Sequence, residues 1–117
     1  MPDRVYDNIL QTIGNTPLVR LHRVVADLPC KVYAKVETFN PGNSIKDRMA
    51  LNIIKKAYER GEIKKGDEII EATSGNTGIS FSAIGKAMGH KVIIFMPNWM
   101  SRERMELIGS FGAKINL

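Results

Sequence analysis

The chain has 117 residues, of which 44% are hydrophobic and 25% charged, so it is long enough to form a soluble globular domain with its own core. Its net charge is +5, but the basic residues are interleaved with acidic ones, which argues against a nucleic-acid-binding surface. Cys30 is the only cysteine, and His22 and His90 lack partners at metal-ligand spacing, so neither an internal disulfide nor a metal site is expected. Apolar runs are too short for a signal core or a membrane span, so we expect a cytoplasmic protein that binds no membrane.

The first predicted elements are a strand and a long helix. Residues 31–37 (K-V-Y-A-K-V-E) alternate between apolar and polar side chains, which predicts a strand. The turn residues N-P-G-N-S at 40–44 then lead into a helix over about 45–60, which Gly61 is suited to end.

The rest of the chain continues this alternation. The pattern predicts, in order, a strand at 67–72, a loop at 73–78, a helix closed by Gly89, a strand at 91–96, a loop at 97–100, a helix from Ser101 to Gly112 and a last strand from Ala113. The strand at 91–96 is continuously apolar, which is typical of a parallel strand covered on both faces.

Alternating strands and helices predict an α/β fold, a doubly wound and mostly parallel sheet with flanking helices. In such sheets ligands bind outside the carboxyl ends of the strands. We therefore expect the loops at 40–44, 73–78 and 97–100 to share one edge of the sheet and to carry the functional site.

The loop T-S-G-N-T-G at 73–78 combines hydroxyl residues, glycines and an amide at the start of a helix. Exposed backbone N–H groups and the helix dipole there favour a carboxylate or a phosphate. The loop matches neither a P-loop nor a dinucleotide-binding fingerprint. The same residues would also suit a capped helix start with glycines for close packing.

Lys46 stands where a cation is not expected. With Ser44 as the N-cap, Lys46 falls in the first helical turn, where the dipole favours a neutral amine. A neutral lysine amine is what Schiff-base chemistry or general-base catalysis requires. The alternative is a surface lysine that points away, with Asp47 supplying the favourable negative charge. An amine facing an anion site would suit a carbonyl cofactor together with an amino acid.

Four segments resemble, in order and spacing, the cysteine synthase and cystathionine β-synthase family of fold-type-II pyridoxal-phosphate enzymes. They are T-I-G-N-T-P-L-V-R-L (12–21), K-V-E-T-F-N-P-G-N-S-I-K-D-R (35–48), E-A-T-S-G-N-T-G-I-S (71–80) and M-P-N-W-M-S-R-E-R (96–104). The resemblance extends over essentially the whole chain.

This resemblance implies a role for each residue of the expected site. Lys46 would hold pyridoxal 5'-phosphate as a Schiff base and remove the substrate α-proton, and Asn76 would hydrogen-bond the 3-oxygen of the cofactor ring. The substrate α-carboxylate would be bound by Thr73, Ser74, Gly75 and Thr77. The implied reaction is β-replacement on a serine-derived amino acid, O-acetylserine and sulfide giving cysteine and acetate. Cystathionine β-synthase and a cysteine lyase or lanthionine-forming relative are the alternatives.

Family members are more than twice as long as this chain, and their phosphate-binding loop and the hydroxyl facing the pyridine nitrogen lie beyond residue 117. The resemblance implies that residues 1–36 are an arm and strand of a larger domain, and 37–117 a smaller α/β domain with the lysine and the substrate loop. A partly uncovered sheet and self-association, as a homodimer, are then expected. A non-catalytic half-enzyme that acts only in association, and a basic anion- or nucleic-acid-binding module, are the alternatives of other classes.

Overall fold

The computed structural model describes residues 4–117, so the first three residues of the predicted N-terminal arm lie outside the described part. Three 3-10 helices (Ile9–Thr12, Arg23–Val25 and Glu37–Phe39) accompany three α-helices and five strands. These are β1 (Leu18–Arg20), β2 (Tyr33–Lys35), α1 (Lys46–Glu59), β3 (Glu68–Ala72), α2 (Asn76–Ala87), β4 (Lys91–Phe95), α3 (Arg102–Ser110) and β5 (Lys114–Asn116). The predicted α/β class, with a parallel sheet and flanking helices, is confirmed. The division into domains at residue 36 stays a prediction.

The strands form two separate sheets. β3, β4 and β5 are parallel and neighbour each other in chain order, with Ile70 opposite Ile93. β2 instead pairs antiparallel with β1, with Ala34 opposite Val19. The expectation that the strand at 31–37 belongs to the parallel sheet is therefore wrong. As a result, the loop at 40–44 does not follow a strand of that sheet.

Helix α2 lies unusually close to β4 because it presents glycines to the strand. A Cβ atom added to Gly85 would lie 2.7 Å from Cγ2 of Val92, and one added to Gly78 would lie 3.3 Å from Cγ2 of Ile94. The two glycines are two helical turns apart and so share one stripe of the helix. Since Gly78 meets the later residue of β4 and Gly85 the earlier one, α2 runs antiparallel to the strand. The first turn of α2 therefore lies at the carboxyl end of the sheet.

Within residues 4–117 the helices cover one face of the parallel sheet. Val92 and Ile94 point toward the helices and are buried with the rest of the core, which also includes Ala50, Ile54, Ile79, Phe81, Ile84, Met96, Met100 and Ile108. On the opposite face Ile70 is 59% exposed and Phe95 45% exposed. The expectation that the strand at 91–96 is covered on both faces is wrong for the described residues, whereas the expected partly uncovered sheet is confirmed.

Two further residues singled out in the sequence, His90 and Cys30, differ in burial. His90 is buried, with Nε2 2.8 Å from the Tyr58 hydroxyl and Nδ1 2.8 Å from the carbonyl oxygen of Asp67. Cys30 is exposed.

In the part of the chain that the structure describes, no helix has the length and apolar character needed to cross a membrane. Nor do any three His, Cys, Asp or Glu side chains between residues 4 and 117 form a group that could hold a metal ion.

Candidate active site

Lys46 is the first residue of α1, and its side chain is exposed. Its backbone N–H donates to the Ser44 Oγ at 3.1 Å, so Ser44 holds the start of the helix although it is not the N-cap residue. The helix begins at Lys46, one residue later than expected, and Ile45 rather than the predicted Ser44 is its N-cap. Lys46 thus lies in the first turn, as predicted.

The turn before Lys46 is held by buried Asn40. The Asn40 Nδ2 donates to the carbonyl oxygen of Ser44 at 2.9 Å, and its Oδ1 accepts from the backbone N–H of Gly14 at 2.8 Å. Gly14 belongs to the first of the four recognised segments and Asn40 to the second. One amide side chain therefore joins these two segments at the turn that leads to Lys46.

Glu37 and Arg48 form the strongest charged interaction near this turn. The Glu37 carboxylate accepts from Nε and Nη2 of Arg48 at 2.8 and 3.0 Å, from Thr16 Oγ1 at 2.6 Å and from Asn40 Nδ2 at 2.9 Å. A two-pronged guanidinium–carboxylate pair is directional as well as strong. The Arg48 guanidinium, and then the Thr16 hydroxyl, lower the pKa of Glu37 to about 2, while Glu37 raises the pKa of Arg48 above its ordinary value.

Asp47, the residue after Lys46, is completely buried. Its Oδ2 accepts from the backbone N–H of Gly42 at 2.6 Å, and its Oδ1 accepts from the Ser80 hydroxyl at 2.5 Å. The carboxylate occupies the space that a side chain on Gly42 would need. Asp47 therefore ties the first turn of α1 both to the preceding loop and to α2.

The loop at 73–78 leaves hydrogen-bond donors uncovered at the start of α2. Thr73 Oγ1 accepts from the Gly75 N–H at 3.1 Å, and the carbonyl oxygen of Gly75 accepts from the Gly78 N–H at 3.1 Å. The backbone N–H groups of Asn76 and Thr77 have no hydrogen-bond partner among residues 4–117. They lie at the positive end of the helix dipole, where an anion is favoured.

The space beside this loop is open, and a cation stands next to it. A Cβ atom added to Gly75 would meet no described atom within 4 Å, although Gly75 has an extended backbone that other residues also adopt. Nη1 of Arg104, on α3, donates to the carbonyl oxygen of Ser74 at 2.8 Å. The loop thus combines free backbone donors, hydroxyl groups and a nearby guanidinium beside unfilled space.

The Asp47–Ser80 hydrogen bond brings the starts of α1 and α2 together. Lys46 precedes Asp47, and Asn76 lies one helical turn before Ser80 on the same face of α2. The structure thus places Lys46 and Asn76 at the same end of a helix pair. The expectation that a common sheet edge brings the lysine to the loop at 73–78 is wrong, because α1 does not follow a strand of the parallel sheet and is joined to α2 through helix packing instead.

A shallow cleft of about 430 Å³ marks the carboxyl end of the parallel sheet. Of the predicted site residues, Thr73 and Ser74 line this cleft, whereas Lys46, Gly75, Asn76 and Thr77 are not among its lining residues. The other lining residues are Ala72, Phe95, Met96, Pro97, Asn116 and Leu117. The loop after β4 therefore reaches the site through Pro97.

Residues 9–117 match the family described as "Pyridoxal-phosphate dependent enzyme". The chain is 49% identical over 117 residues to a cysteine synthase of Staphylococcus aureus, covering all of this chain and 38% of that protein. It is also 49% identical over 111 residues to a cystathionine beta-synthase of Dictyostelium discoideum, covering 95% of this chain and 22% of that protein. The crystal structure of a cysteine synthase from Entamoeba histolytica superposes with a TM-score of 0.92 at 46% identity, covering all of this chain and 36% of that one. The chain thus spans less than two fifths of the length of these relatives.

Proposed function

The chain belongs to the pyridoxal-phosphate dependent enzymes, and on that premise we propose that it forms part of the active site of a β-replacement enzyme. The proposed reaction converts O-acetylserine and sulfide into cysteine and acetate. The observation that supports it best is the exposed Lys46 on a turn held by buried hydrogen bonds, at the start of a helix that is joined to α2 by the Asp47–Ser80 hydrogen bond.

The residues on both sides of this site fit the cofactor. Lys46 presents a primary amine that would hold the cofactor covalently through its aldehyde carbon. Asn76, at the same end of the helix pair, has an amide that would donate to the ring oxygen beside that carbon. Pyridoxal phosphate, when bound, supplies an electron sink for the substrate α-carbon.

The loop at 73–78 suits the α-carboxylate of an amino acid. Thr73, Ser74 and Thr77 supply hydroxyl donors, and Gly75 leaves space for the ligand to approach the backbone. The first turn of α2 adds unpaired N–H groups and a favourable dipole. These residues would orient the substrate so that its α-hydrogen faces Lys46.

Lys46 would then act as the general base. The Nζ of Lys46, when it is not holding the cofactor, would accept the α-proton of the substrate. An exposed amine can alternate between these two roles, provided that the backbone beneath it stays fixed. The hydrogen bonds of Ser44, Asp47 and Arg48 hold that backbone.

The choice of substrate rests on the relatives, which include cysteine synthases and a cystathionine beta-synthase at equal identity. We favour O-acetylserine and sulfide over the alternatives, a cystathionine β-synthase and a cysteine lyase or lanthionine-forming enzyme.

We also propose that the protein acts as a homodimer or another self-associated form, because Ile70 and Phe95 leave one sheet face apolar and exposed. A half-enzyme without activity of its own is the second candidate, supported by the same exposed face. The cytoplasmic location stays a prediction.

Borohydride trapping tests the proposed role of Lys46. The protein is incubated with pyridoxal phosphate, reduced with borohydride, digested and mapped by mass spectrometry, and we expect the cofactor on Lys46. Lys46→Ala should abolish the label, whereas Lys55→Ala, which removes an exposed lysine from the same helix, should keep it. Labelling spread evenly over surface lysines would contradict the proposal.

A second arm tests the reaction. After the cofactor has bound, addition of O-acetylserine should change the visible absorption, and further addition of sulfide should release cysteine. A protein that is labelled at Lys46 but forms no cysteine would support the half-enzyme instead.

A further inference from the structure

We propose that Asp47 and Ser80 act as a positioning pair that sets Lys46 against the loop at 73–78. The inference rests on the proposed function, which identifies Lys46 and the loop at 73–78 as the groups that must be positioned. The contact itself is a property of this fold. Neither residue would touch the substrate, and both would act through the helices that carry Lys46 and Asn76.

The burial of Asp47 is the first argument. A buried carboxylate is costly unless hydrogen bonds replace its hydration. Asp47 is 0% exposed, and its two oxygens accept from different parts of the chain, the Gly42 backbone and the Ser80 hydroxyl. Because both donors are fixed, the carboxylate admits only one placement of the first turn of α1.

The position of Ser80 is the second argument. Ser80 is also 0% exposed, and it lies four residues after Asn76, so both side chains lie on the face of α2 that meets the start of α1. Movement of α1 along α2 would break the Asp47–Ser80 bond and displace Lys46 from Asn76. The bond therefore couples the lysine to the substrate loop through one helical turn.

The chain offers a matched control in Ser82. Ser82 is 0% exposed, like Ser80, and lies in the same helix, but its hydroxyl donates to the carbonyl oxygen of Gly78 at 2.6 Å, within α2. Ser80→Ala and Ser82→Ala thus delete the same group from the same helix. Only Ser80→Ala removes a bond to α1.

The first measurement is borohydride trapping of pyridoxal phosphate on Lys46 in the whole chain. Loss of one buried hydrogen bond leads us to expect about a fivefold to tenfold slower trapping in Ser80→Ala. In Ser82→Ala the rate should stay within about twofold, despite a similar fall in melting temperature. Equal trapping rates in the two variants would overturn the proposal.

Asp47 provides a rescue test. In Asp47→Asn the amide oxygen can accept from Gly42 while its NH₂ donates to the Ser80 oxygen, so the tie is kept without the charge. We therefore expect Asp47→Asn to trap the cofactor faster than Asp47→Ala. If the two variants trap equally slowly, the negative charge matters more than the tie, and the positioning role is wrong.

The second measurement needs no cofactor. Amide hydrogen exchange in the first turn of α1 should be faster in Ser80→Ala than in Ser82→Ala. If the unchanged protein is not labelled at Lys46 but this difference appears, the proposed function fails and the positioning contact stands. If exchange is the same in both variants, the contact does not position α1.

Discussion

At the level of single residues, Glu37 holds the turn that carries Lys46. Its partners Thr16 and Arg48 are 21 and 11 residues away in the chain, so no local pattern could have identified them. The sequence predicts the place of Lys46 in the first turn to within one residue because a helix start is a local signal, although the N-cap is Ile45 rather than Ser44. The sequence indicates Asp47 only as a charge that complements the helix dipole, whereas in the structure it is a buried acceptor with a partner 33 residues away.

The Glu37 network leads to a prediction on pH. The Arg48 guanidinium lowers the pKa of Glu37 from 4.5 to about 2. The ionised carboxylate therefore contributes its full stabilisation of the fold at pH values above 4.5. That stabilisation should be lost as the pH falls from 4.5 toward 2. We expect Glu37→Gln to lower the melting temperature at pH 7 and to differ much less from the unchanged protein near pH 2.

The control for this prediction is Glu68→Gln, which removes an exposed carboxylate from β3. Melting curves recorded by circular dichroism between pH 2 and pH 7 make the comparison. A difference between Glu37→Gln and the unchanged protein that stays constant over this range would show that the ion pair does not contribute as described.

At the level of elements, the strand predicted at 31–37 is shorter than its alternating pattern. An alternating pattern indicates which side chains are half-buried, but the length of a strand also depends on the length of its pairing partner. Because β1 has only three residues, β2 pairs over only three. Single backbone hydrogen bonds from Leu21 to Val32 and from Val36 to Pro17 extend the pairing at each end. After Val36 the chain turns into a 3-10 helix, which carries Glu37 toward Arg48. The pairing with β1 joins residues distant in sequence, and no local signal predicts it.

The glycines at the start of α2 differ in a testable way. In Gly78→Ala the new Cβ would lie 2.6 Å from Cγ2 of Thr73 and 3.4 Å from Cδ1 of Ile108, so we expect a loss of about 1–3 kcal/mol in the free energy of unfolding. In Gly75→Ala the methyl group would enter open space, and the loss should not exceed about 1 kcal/mol.

Gly75→Ala, the more stable of the two variants, should be impaired in ligand binding. A methyl group on Gly75 would occupy the space proposed for the α-carboxylate, so Gly75→Ala should weaken amino-acid binding despite its near-normal stability. Urea denaturation measures the first effect, and titration with O-acetylserine after cofactor binding measures the second. Normal affinity in Gly75→Ala would place the carboxylate elsewhere.

At the level of the whole molecule, the chain is more open than its length would suggest. Its radius of gyration is 17.0 Å, whereas a compact chain of this length has about 13 Å. Its accessible surface is 8032 Å², compared with about 6,400 Å² for a compact monomer of this mass. The sequence predicted this openness only through the resemblance to longer proteins, because composition and periodicity do not reveal which faces lack a cover.

This excess surface predicts self-association. We expect a mass above 13.1 kDa by sedimentation or light scattering, increasing with protein concentration. Because a net charge of +5 opposes association, added salt should shift the equilibrium toward the larger species. A monomer mass at every concentration and salt level would rule out the proposed homodimer for this chain.

The contact between Gly42 and Asp47 has a consequence for how the sequence can vary. The carboxylate fills the volume of the missing side chain and accepts the glycine N–H, so the two positions form one steric and polar unit. In a library randomised at both positions, functional clones should show correlated choices. A larger residue at 42 should survive only beside a shorter one at 47, and that pairing would also give up the link to Ser80. A change in side-chain size at either position therefore requires a compensating change at the other.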